Sequence, residues 1–278
     1  MSLAADSAMR GHSTHTIWAG LRLAWMLAKR DLRNRYAASY AGAAWNIGVP
    51  LLYALINVIV FSVLMNGRMG VRYDNLPFAL FYFLPFSLWT VFAEVLGRST
   101  SILRQYQYLI NRIAFPQWTL PLVPLASALL CQAIVFVLIA GLIVQSHVPL
   151  AASAWVFLPL WLIALAFTLG LAYAVAALAV YVPDLAQVVP VCITVLFWLT
   201  PILYPASLVE QHGAWWVRTL MVDCNPFYYL VESARHAVFG DGSTAWPAIG
   251  AMACVGAAVF AAGLAVFRKL QPGFADVI

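Results

Sequence analysis

The sequence predicts an all-α, polytopic membrane protein in which residues 16–278 form a single transmembrane domain with six spans. Of the 278 residues, 64% are hydrophobic and only 9% are charged, whereas soluble domains average about 25% charged residues. The apolar residues form continuous runs, and a helix needs about 20 of them to cross a bilayer core of about 30 Å. Strands of a β-barrel would be shorter and would alternate polar with apolar residues. The six predicted spans are approximately residues 41–66, 76–97, 119–145, 153–180, 187–204 and 245–267.

The segment before the first span divides into two parts. Residues 1–15 are polar, and we expect them to be disordered. Residues 16–36 have apolar side chains at helical spacing, while lysine and arginine side chains lie on another side of the same helix. Two tryptophans and a basic side are typical of an amphipathic helix that lies in the membrane interface. The alternative is a simple basic flank of the first span.

Two features inside the spans predict how the helices are held together. Glu94, the one acidic residue in the six predicted spans, precedes Arg98 by four residues. This spacing brings the two side chains together on a helix, so we predict a structural ion pair at the exit of the second span. The fourth and sixth spans each carry a face of glycine and alanine. Such faces predict close helix packing, with a neighbour in this chain or in another.

Residues 205–244 are too polar to cross the bilayer and too apolar for an ordinary surface loop. Prolines interrupt the segment, and its tryptophan and tyrosine side chains favour a position at the membrane interface. We therefore predict two short re-entrant helices in the outer leaflet, joined by the sequence DCNP at residues 223–226. Non-helical backbone at this depth requires cover by protein or a wet cavity.

The distribution of lysine and arginine predicts the orientation in the membrane. With the N-terminus inside, the cytoplasmic segments carry 11 of the 15 basic residues. Because positive residues are retained in the cytoplasm, both termini are predicted to be cytoplasmic, and the net charge of +5 reflects topology. No nucleic-acid partner is expected, since that would require a basic surface on a soluble domain.

The sequence lacks the motifs of several enzyme classes. It has no G-x-x-x-x-G-K-[ST] loop for nucleotide phosphates, no G-x-S-x-G or H-E-x-x-H motif, and no cysteine and histidine cluster with metal-binding spacing. We therefore predict no catalytic residue, no metal site and no cofactor in this chain. The enzyme alternative is a membrane glycolipid acyltransferase, because His236 and Asp241 match an H-x-x-x-x-D pattern.

Aromatic residues in the first and fifth spans provide a candidate path for a substrate. Aromatic faces can contact the apolar faces of sugars without fixing one geometry, which suits a polymer that slides past. The alternative is that these rings only pack inside the protein or face lipid. The candidate path residues are Tyr53, Phe61, Phe197, Trp198 and Tyr204.

The loop between the second and third spans is short and basic, and three prolines follow it: Pro116, Pro121 and Pro124. Proline fixes its own φ angle, and the first turn of a helix tolerates it. A basic loop stiffened in this way suits a segment on which another protein pushes.

Four stretches carry motifs of one family. RDLRNRYAASYAGAAWNIGVPLL (30–52) leads into the first span, and FAEVLGRSTSILRQYQYLINRIAFPQWTLPL (92–122) contains the basic loop and ends in F-P-x-x-x-L-P. The third stretch is the outer region, WLTPILYPASLV (198–209) together with NPFYYLVESARHAVFG (225–240), which supplies Y-P, N-P and E-x-x-R, and the fourth is the tail FRKLQPGFADVI (267–278). In this order and spacing they resemble the type-2 ABC transporter permeases that export polysaccharides, including lipid-linked O-antigen, capsule and teichoic acid.

The resemblance implies a permease of the bacterial inner membrane that works as a homodimer with two copies of a nucleotide-binding ATPase subunit. ATP and Mg²⁺ would belong to the partner subunit, and membrane lipids would surround the dimer. A lipid-linked glycan would pass between the two chains, along the first and fifth spans. Export of a small lipid-like or drug-like molecule is the alternative.

The resemblance also assigns roles to two cytoplasmic segments. The first is a coupling loop that docks on the ATPase, which corresponds to Arg104, Gln107, Tyr108, Leu109, Ile110, Asn111, Arg112, Phe115 and Pro116. The second is an interfacial gate helix, which corresponds to Lys29, Arg30, Asp31, Arg33, Arg35 and Tyr36.

Overall fold

The computed structural model describes residues 2–35, 44–60, 73, 76–112, 115–240 and 246–277. Within these ranges all regular elements are helical, as predicted. In chain order the helices are α1 (Ser2–Arg35), α2 (Trp45–Ile59), α3 (Phe78–Ser99), α4 (Ile102–Gln105), α5 (Gln107–Arg112), α6 (Leu122–Ser146), α7 (Phe157–Tyr181), α8 (Leu185–Leu199), α9 (Ala206–His212), α10 (Trp215–Arg218), α11 (Pro226–Phe239), α12 (Trp246–Leu270) and α13 (Phe274–Val277).

Among the described residues, four helices are long and apolar enough to cross a membrane: α3, α6, α7 and α12. They coincide with the second, third, fourth and sixth predicted spans. The first and fifth predicted spans coincide with α2 and α8, each of which has 15 residues in the described ranges. The structure therefore confirms an all-helical protein with at least four helices of membrane-spanning length.

The fifth predicted span is too long at its C-terminal end. α8 ends at Leu199, and residues 200–205 follow an irregular path toward α9. The reason is Pro201, which has no N–H group to donate to a helical carbonyl. Thr200 makes the last such bond, from its N–H to the carbonyl of Leu196 at 2.9 Å. The last part of the first predicted span, including Phe61, lies outside the described residues.

The N-terminal segment is helical where disorder was predicted. α1 begins at Ser2, so residues 2–15 continue the helix that was predicted for residues 16–36. No proline interrupts α1. Once a helix has formed, each added residue gains a hydrogen bond without a new nucleation step, which explains how a polar segment extends it.

The described part of the predicted re-entrant region, residues 205–240, contains three helical segments in place of the predicted two. α9 ends before Gly213, and α10 begins at Trp215 and continues into a π-helical turn, Thr219–Asp223. Gly213 and Ala214 separate the two, because both have extended backbone with ψ angles of 136° and 152°. The DCNP sequence lies at the junction to α11.

Asn225 of the DCNP sequence caps α11 and ties it to the end of α8. Its side-chain oxygen accepts hydrogen bonds from the N–H groups of Phe227 (3.0 Å) and Tyr228 (3.4 Å). Its side-chain nitrogen donates to Thr200 Oγ1 at 2.9 Å. Pro226 occupies the first helical position, where a missing N–H has no cost. This short motif therefore starts one helix and fixes its place beside another.

Buried side chains form one apolar cluster toward each end of the bundle. One cluster joins α3, the N-terminal half of α7 and α11, and includes the rings of Trp89, Phe92 and Phe227, whose centroids lie 4.6–5.2 Å apart. The other joins α1, α4, α5, the C-terminal parts of α7 and α12, and Phe274 of α13. α1 and α13 therefore lie at the same end of the bundle.

α7 and α12 approach each other through glycine. A Cβ atom added to Gly170 would come within 2.6 Å of the backbone of Phe260, and one added to Gly263 would collide with the carbonyl oxygen of Gly170. Small residues allow two helix backbones to approach this closely. The glycine and alanine faces predicted for the fourth and sixth spans thus meet within one chain.

Arg235 of α11 is completely buried and binds three backbone carbonyls. Its Nε donates to the carbonyl of Phe81 (3.2 Å), its Nη1 to that of Pro201 (2.6 Å) and its Nη2 to that of Ile202 (2.6 Å). The Phe81 carbonyl needs an outside donor because Pro85, four residues later in α3, has no N–H. The other two carbonyls need one because they follow the end of α8. One side chain therefore joins three elements.

The Arg235 guanidinium remains charged despite its burial. Burial lowers the pKa of Arg235 to about 10, and the Glu232 carboxylate opposes this effect. Arginine is therefore protonated at neutral pH. The guanidinium lies over the ring of Phe81, 3.7 Å from its centroid, and Glu232 Oε2 lies 3.5 Å from Nη1. Glu232 also accepts a hydrogen bond from the hydroxyl of Tyr73 at 3.1 Å.

Replacing Arg235 with Met should destabilise the protein, because three buried carbonyls would lose their donor. Each unsatisfied buried polar group costs about 1–3 kcal/mol, so we expect the free energy of unfolding to fall by about 3 kcal/mol or more. Arg235→Lys keeps the charge, but a lysine ammonium donates from a single point, so we expect a smaller loss in the same direction. Thermal unfolding of the detergent-solubilised protein measures both changes.

The matched control is Arg218→Gln, which removes an exposed arginine from the same outer region. A surface substitution of this kind changes the free energy of unfolding by no more than about 0.5 kcal/mol. Equal unfolding temperatures for the Arg235→Met and Arg218→Gln variants would contradict the role given to the buried guanidinium.

Candidate functional site

The predicted coupling loop forms α4 and α5, two short helices that meet at Tyr106 and that we call the coupling segment. One of its faces is directed into the protein and the other into the surroundings. The buried face consists of Ile102, Leu103, Tyr106 and Ile110. The exposed face includes Gln105, Gln107 and Tyr108, whose side chain is 46% exposed. Of the predicted loop residues, Arg104, Gln107 and Tyr108 are therefore accessible to a partner, whereas Ile110 is not.

Arg104 attaches the coupling segment to the end of α7. Its Nη2 donates to the carbonyls of Ala179 (2.9 Å) and Val180 (3.1 Å). The last four carbonyls of a helix have no partner within the helix, and they carry its partial negative charge. A guanidinium donates hydrogen bonds to these carbonyls, and its positive charge is attracted to the partial negative charge of the helix end. Arg104, predicted to dock on a partner, therefore also has a contact inside the chain, although the residue itself is exposed.

The C-terminal residues brace the coupling segment from another side. Phe274 of α13 is fully buried, with its ring 5.4 Å from that of Phe267 and 6.3 Å from that of Tyr181. The Tyr181 hydroxyl donates to the carbonyl of Leu270, at the end of α12, at 2.9 Å. Ile110 belongs to the same apolar cluster. The coupling segment thus rests on the ends of both α7 and α12.

α1 reaches the coupling segment through an ion pair. Arg98 Nη2 lies 2.5 Å from Asp31 Oδ2, whereas Arg98 Nη1 lies 3.9 Å from Glu94 Oε1. Ser127 Oγ of α6 also donates to Asp31, at 3.3 Å. Burial raises the pKa of the nearby Tyr106 hydroxyl, and the Asp31 charge raises it further. The predicted pair with Glu94 is present, but the shorter contact of Arg98 is with α1.

The face of α1 that packs on the rest of the protein consists of small residues together with Leu27. Ala24, Leu27 and Ala28 are buried, and a Cβ on Gly20 would come within 2.6 Å of the Trp118 ring. Several larger apolar residues of α1 are exposed, and so are its basic residues between positions 29 and 33. The exposed side chains are Trp18, Leu21, Trp25, Lys29, Arg30 and Arg33. Arg35 is the last residue of α1 that the structure describes, with its side chain outside the description, and Tyr36 lies outside the described residues.

The residues after the coupling segment lead the chain into α6. Phe115 and Pro116 are half-buried, and Thr119 Oγ1 donates to the Pro116 carbonyl at 2.8 Å. The Tyr173 hydroxyl of α7 donates to the Trp118 carbonyl at 2.8 Å. Leu109 is half-buried, and Asn111 and Arg112 lie in α5 with side chains outside the description.

The structure brings together three of the five candidate path residues, at the end of α8. Phe197 is half-buried, with its ring 5.5 Å from that of Trp89. Trp198 is 57% exposed, and the Tyr204 hydroxyl donates to its carbonyl at 2.7 Å. Tyr53 lies in α2 with its side chain outside the description, and Phe61 lies outside the described residues. Among the candidate path residues whose side chains the structure describes, Trp198 is therefore the most exposed.

Several of the described helices leave large apolar side chains uncovered, and α2 and α8, which correspond to the first and fifth predicted spans, are among them. On α2 these include Leu51, Leu52, Leu55, Ile56 and Ile59, and on α8 they include Val188, Val191, Val195 and Trp198. Soluble monomers rarely expose apolar surfaces of this kind. These faces must therefore contact lipid or another protein chain.

The residues of the acyltransferase pattern do not form a described site. The carbonyl of His236 accepts the N–H of Gly240 at 3.0 Å, which closes α11. Asp241 lies outside the described residues. The part of the chain that the structure describes contains no group of three or more residues that could hold a metal ion.

Sequence reasoning missed Arg235 and Phe274, which organise the two ends of the molecule. Arg235 was visible as part of the E-x-x-R motif, but the motif does not indicate that the guanidinium is buried or that it binds three carbonyls. Phe274 was visible as the sole aromatic residue after α12. Both signals were present, but only the contacts reveal what each side chain binds.

The chain is similar to known transport proteins over most of its length. A family model described as "ABC-2 type transporter" matches residues 22–239. A protein of Myxococcus xanthus named "O-antigen export system permease protein RfbA" is 29% identical over 261 residues, which cover 91% of this chain and 94% of that protein. A protein of the same name from Klebsiella pneumoniae is 26% identical over 258 residues, which cover 91% and 93%. The matched range runs from within α1 to the last residue of α11, and the chain therefore belongs to the ABC-2 type transporter family.

Proposed function

We propose that this chain is the membrane-spanning permease subunit of an ATP-driven exporter of a lipid-linked polysaccharide. It works as a homodimer with two ATPase subunits, which bind the ATP and Mg²⁺. The family membership and the names of the relatives support an exporter subunit. The observation that carries the proposal is the coupling segment, which presents Tyr108 outward while its buried face rests on α7, α12 and α1.

The coupling segment has the properties that docking on a motor subunit requires. Its exposed face offers a tyrosine and glutamines, and tyrosine is enriched at protein interfaces because it has an apolar body and a polar tip. Within the segment, Arg104 binds the end of α7 and Ile110 packs in the apolar cluster. Directly before it, Arg98 of α3 forms an ion pair with α1. A push on Tyr108 would therefore move several helices rather than bend a loose loop.

In this proposal the uncovered faces of α2 and α8 meet a second copy of the chain. The polysaccharide would pass between the copies, beside Trp198 and the other candidate path residues. Weak contacts suit this task, because conduction requires sites that the substrate can also leave. Export of a small lipid-like molecule would use the same faces, and the names of the relatives favour the polysaccharide.

The proposed topology has six crossings of the bacterial inner membrane, with α1 and α13 in the cytoplasm. α8 has 15 residues, which corresponds to about 22 Å of helix and is shorter than a bilayer core. The irregular residues that follow it then lie at membrane depth, where protein must cover them. Arg235 supplies that cover for the carbonyls of Pro201 and Ile202.

The acyltransferase alternative has no support from the comparisons, since the family and the names of the relatives indicate a transport subunit.

The transporter proposal makes a direct prediction about nucleotide hydrolysis. The pure chain should not hydrolyse ATP, because it lacks a phosphate-binding loop. Purification from native membranes should yield an equimolar ATPase subunit, identified by mass spectrometry, and the complex should release phosphate from ATP. Robust hydrolysis by the isolated chain would contradict the proposal.

Tyr108→Asp should separate the chain from its ATPase. A charge without a partner in a docking contact costs about 3 kcal/mol or more, which corresponds to a loss of affinity of about a hundredfold. The variant should reach the membrane in normal amounts, but pull-down should recover little ATPase and surface polysaccharide should fall.

Two further variants make this result specific. Tyr108→Phe keeps the ring and should keep both the ATPase and export. Ile110→Asp places a charge in the apolar cluster and should lower the amount of folded permease itself. Normal ATPase recovery with Tyr108→Asp would exclude the exposed face of α5 as the docking surface.

Trp198→Leu should slow export without changing assembly. The substitution keeps apolar character and removes the aromatic face, and one stacking contact is worth about 1 kcal/mol, so we expect a reduction of about two- to fivefold. Combined replacement of Tyr53, Phe61 and Trp198 by Leu should abolish polymer export while dimers and ATP hydrolysis persist. The measurement is surface glycan per assembled transporter.

Trp215→Leu is the control, since Trp215 is 80% exposed but lies outside the candidate path. If this variant reduced export as much as Trp198→Leu, the aromatic path would be removed from the proposal.

A further inference from the structure

Asp31 is the single acidic residue in the basic stretch 22–35 of α1. Lys29, Arg30 and Arg33 surround it in the sequence, and all three are exposed. The Asp31 carboxylate is instead nearly buried, and a charge that is removed from water needs stabilisation by other groups.

That stabilisation comes from the junction of three helices. The Asp31 side chain is only 9% exposed, and its Oδ2 lies 2.5 Å from Arg98 Nη2 of α3 and 3.3 Å from Ser127 Oγ of α6. Arg98 is the penultimate residue of α3, and α4 begins at Ile102. The ion pair is thus the last charged contact that the described chain makes before the coupling segment.

Two arginines connect the region of the coupling segment to different helices. Arg98, in the part of α3 directly before the segment, contacts α1, and Arg104, within the segment, binds the terminal carbonyls of α7. Tyr106 lies in the same apolar cluster as Ala24 and Leu27 of α1. A displacement of the segment would therefore act on α1 and α7 together, but through two separable contacts.

We propose that the Asp31–Arg98 ion pair is a positioning contact that transmits movement of the coupling segment to α1, and through α1 to α2. α2 is the next helix along the chain, and it carries Tyr53 and one of the uncovered apolar faces. The proposal rests on the proposed function and adds a specific route: the pair links ATP hydrolysis in the partner to the helix that borders the substrate path.

The ion pair is not the main attachment of α1. Gly20 lies directly against the Trp118 ring, and Ala24, Leu27 and Ala28 are buried in the apolar cluster. These contacts remain when the charges are removed. Loss of the pair should therefore leave α1 in place but allow the coupling segment to move without it, so that ATP is hydrolysed with less export.

The experiment measures polysaccharide exported per ATP hydrolysed, using the complete permease and ATPase complex. Asp31→Asn and Arg98→Gln should each lower this ratio by about tenfold, because each removes one charge of the ion pair that carries the movement, while the amount of complex stays near normal. Arg98→Lys should retain most of the ratio. The double variant should be no worse than either single variant, as expected for two residues that act as one pair.

Glu94→Gln is the matched control. Glu94 lies 3.9 Å from the same arginine, and its side chain is 25% exposed. A partly exposed pair of this geometry contributes little, so the ratio should stay within about twofold of that of the wild type.

The remaining outcomes would overturn the proposal. An unchanged ratio in Asp31→Asn would show that the contact transmits nothing. An equal fall in Glu94→Gln, or a loss of complex in proportion to the loss of export, would show a general structural effect. If the wild-type complex itself exports nothing in response to ATP, the proposed function fails and this inference fails with it.

Discussion

Backbone carbonyls that no helix can satisfy are the constraint on which this structure depends. Within a bilayer there is no water to replace a missing donor, and each unsatisfied group costs several kcal/mol. The chain nevertheless places prolines at positions 85 and 201, which removes donors in α3 and after α8. The buried guanidinium of Arg235 replaces the missing donors, since it donates to one carbonyl in α3 and to two carbonyls after α8. The irregular outer region can exist because α11 carries that guanidinium.

The same physical solution recurs at the opposite end of the bundle. Arg104 donates to the last carbonyls of α7, and the Tyr181 hydroxyl donates to the carbonyl of Leu270 at the end of α12. Helix ends offer these carbonyls because no later residue of the helix can bind them. Attachment to helix ends is directional, so it holds the coupling segment in one orientation on two helices. Gly170 and Gly263 keep those two helices at close range, which makes them a single support.

The exposed apolar side chains mark the surfaces of this chain that lipid or another protein chain must cover. α2 and α8 expose leucine, isoleucine and valine, and α1 exposes two tryptophans beside its basic residues. Trp198 and Phe197 show how adjacent aromatic residues acquire different roles. The first is exposed at the end of α8, and the second packs on Trp89. In the proposed dimer, export depends on the surface that the fold leaves free, and stability depends on the surface that it covers.

The sequence by itself determined the helical class, the positions of the long apolar helices and the family, because run length, proline position and motif spacing are local properties. It also predicted the close packing of glycine and alanine faces. It could not show that Ile110 is buried or that Arg104 binds the terminal carbonyls of α7. It paired Arg98 with Glu94, four residues away, whereas the shorter contact is with Asp31, 67 residues away. Which helices become neighbours depends on how all the apolar faces pack together, and only the tertiary structure decided that.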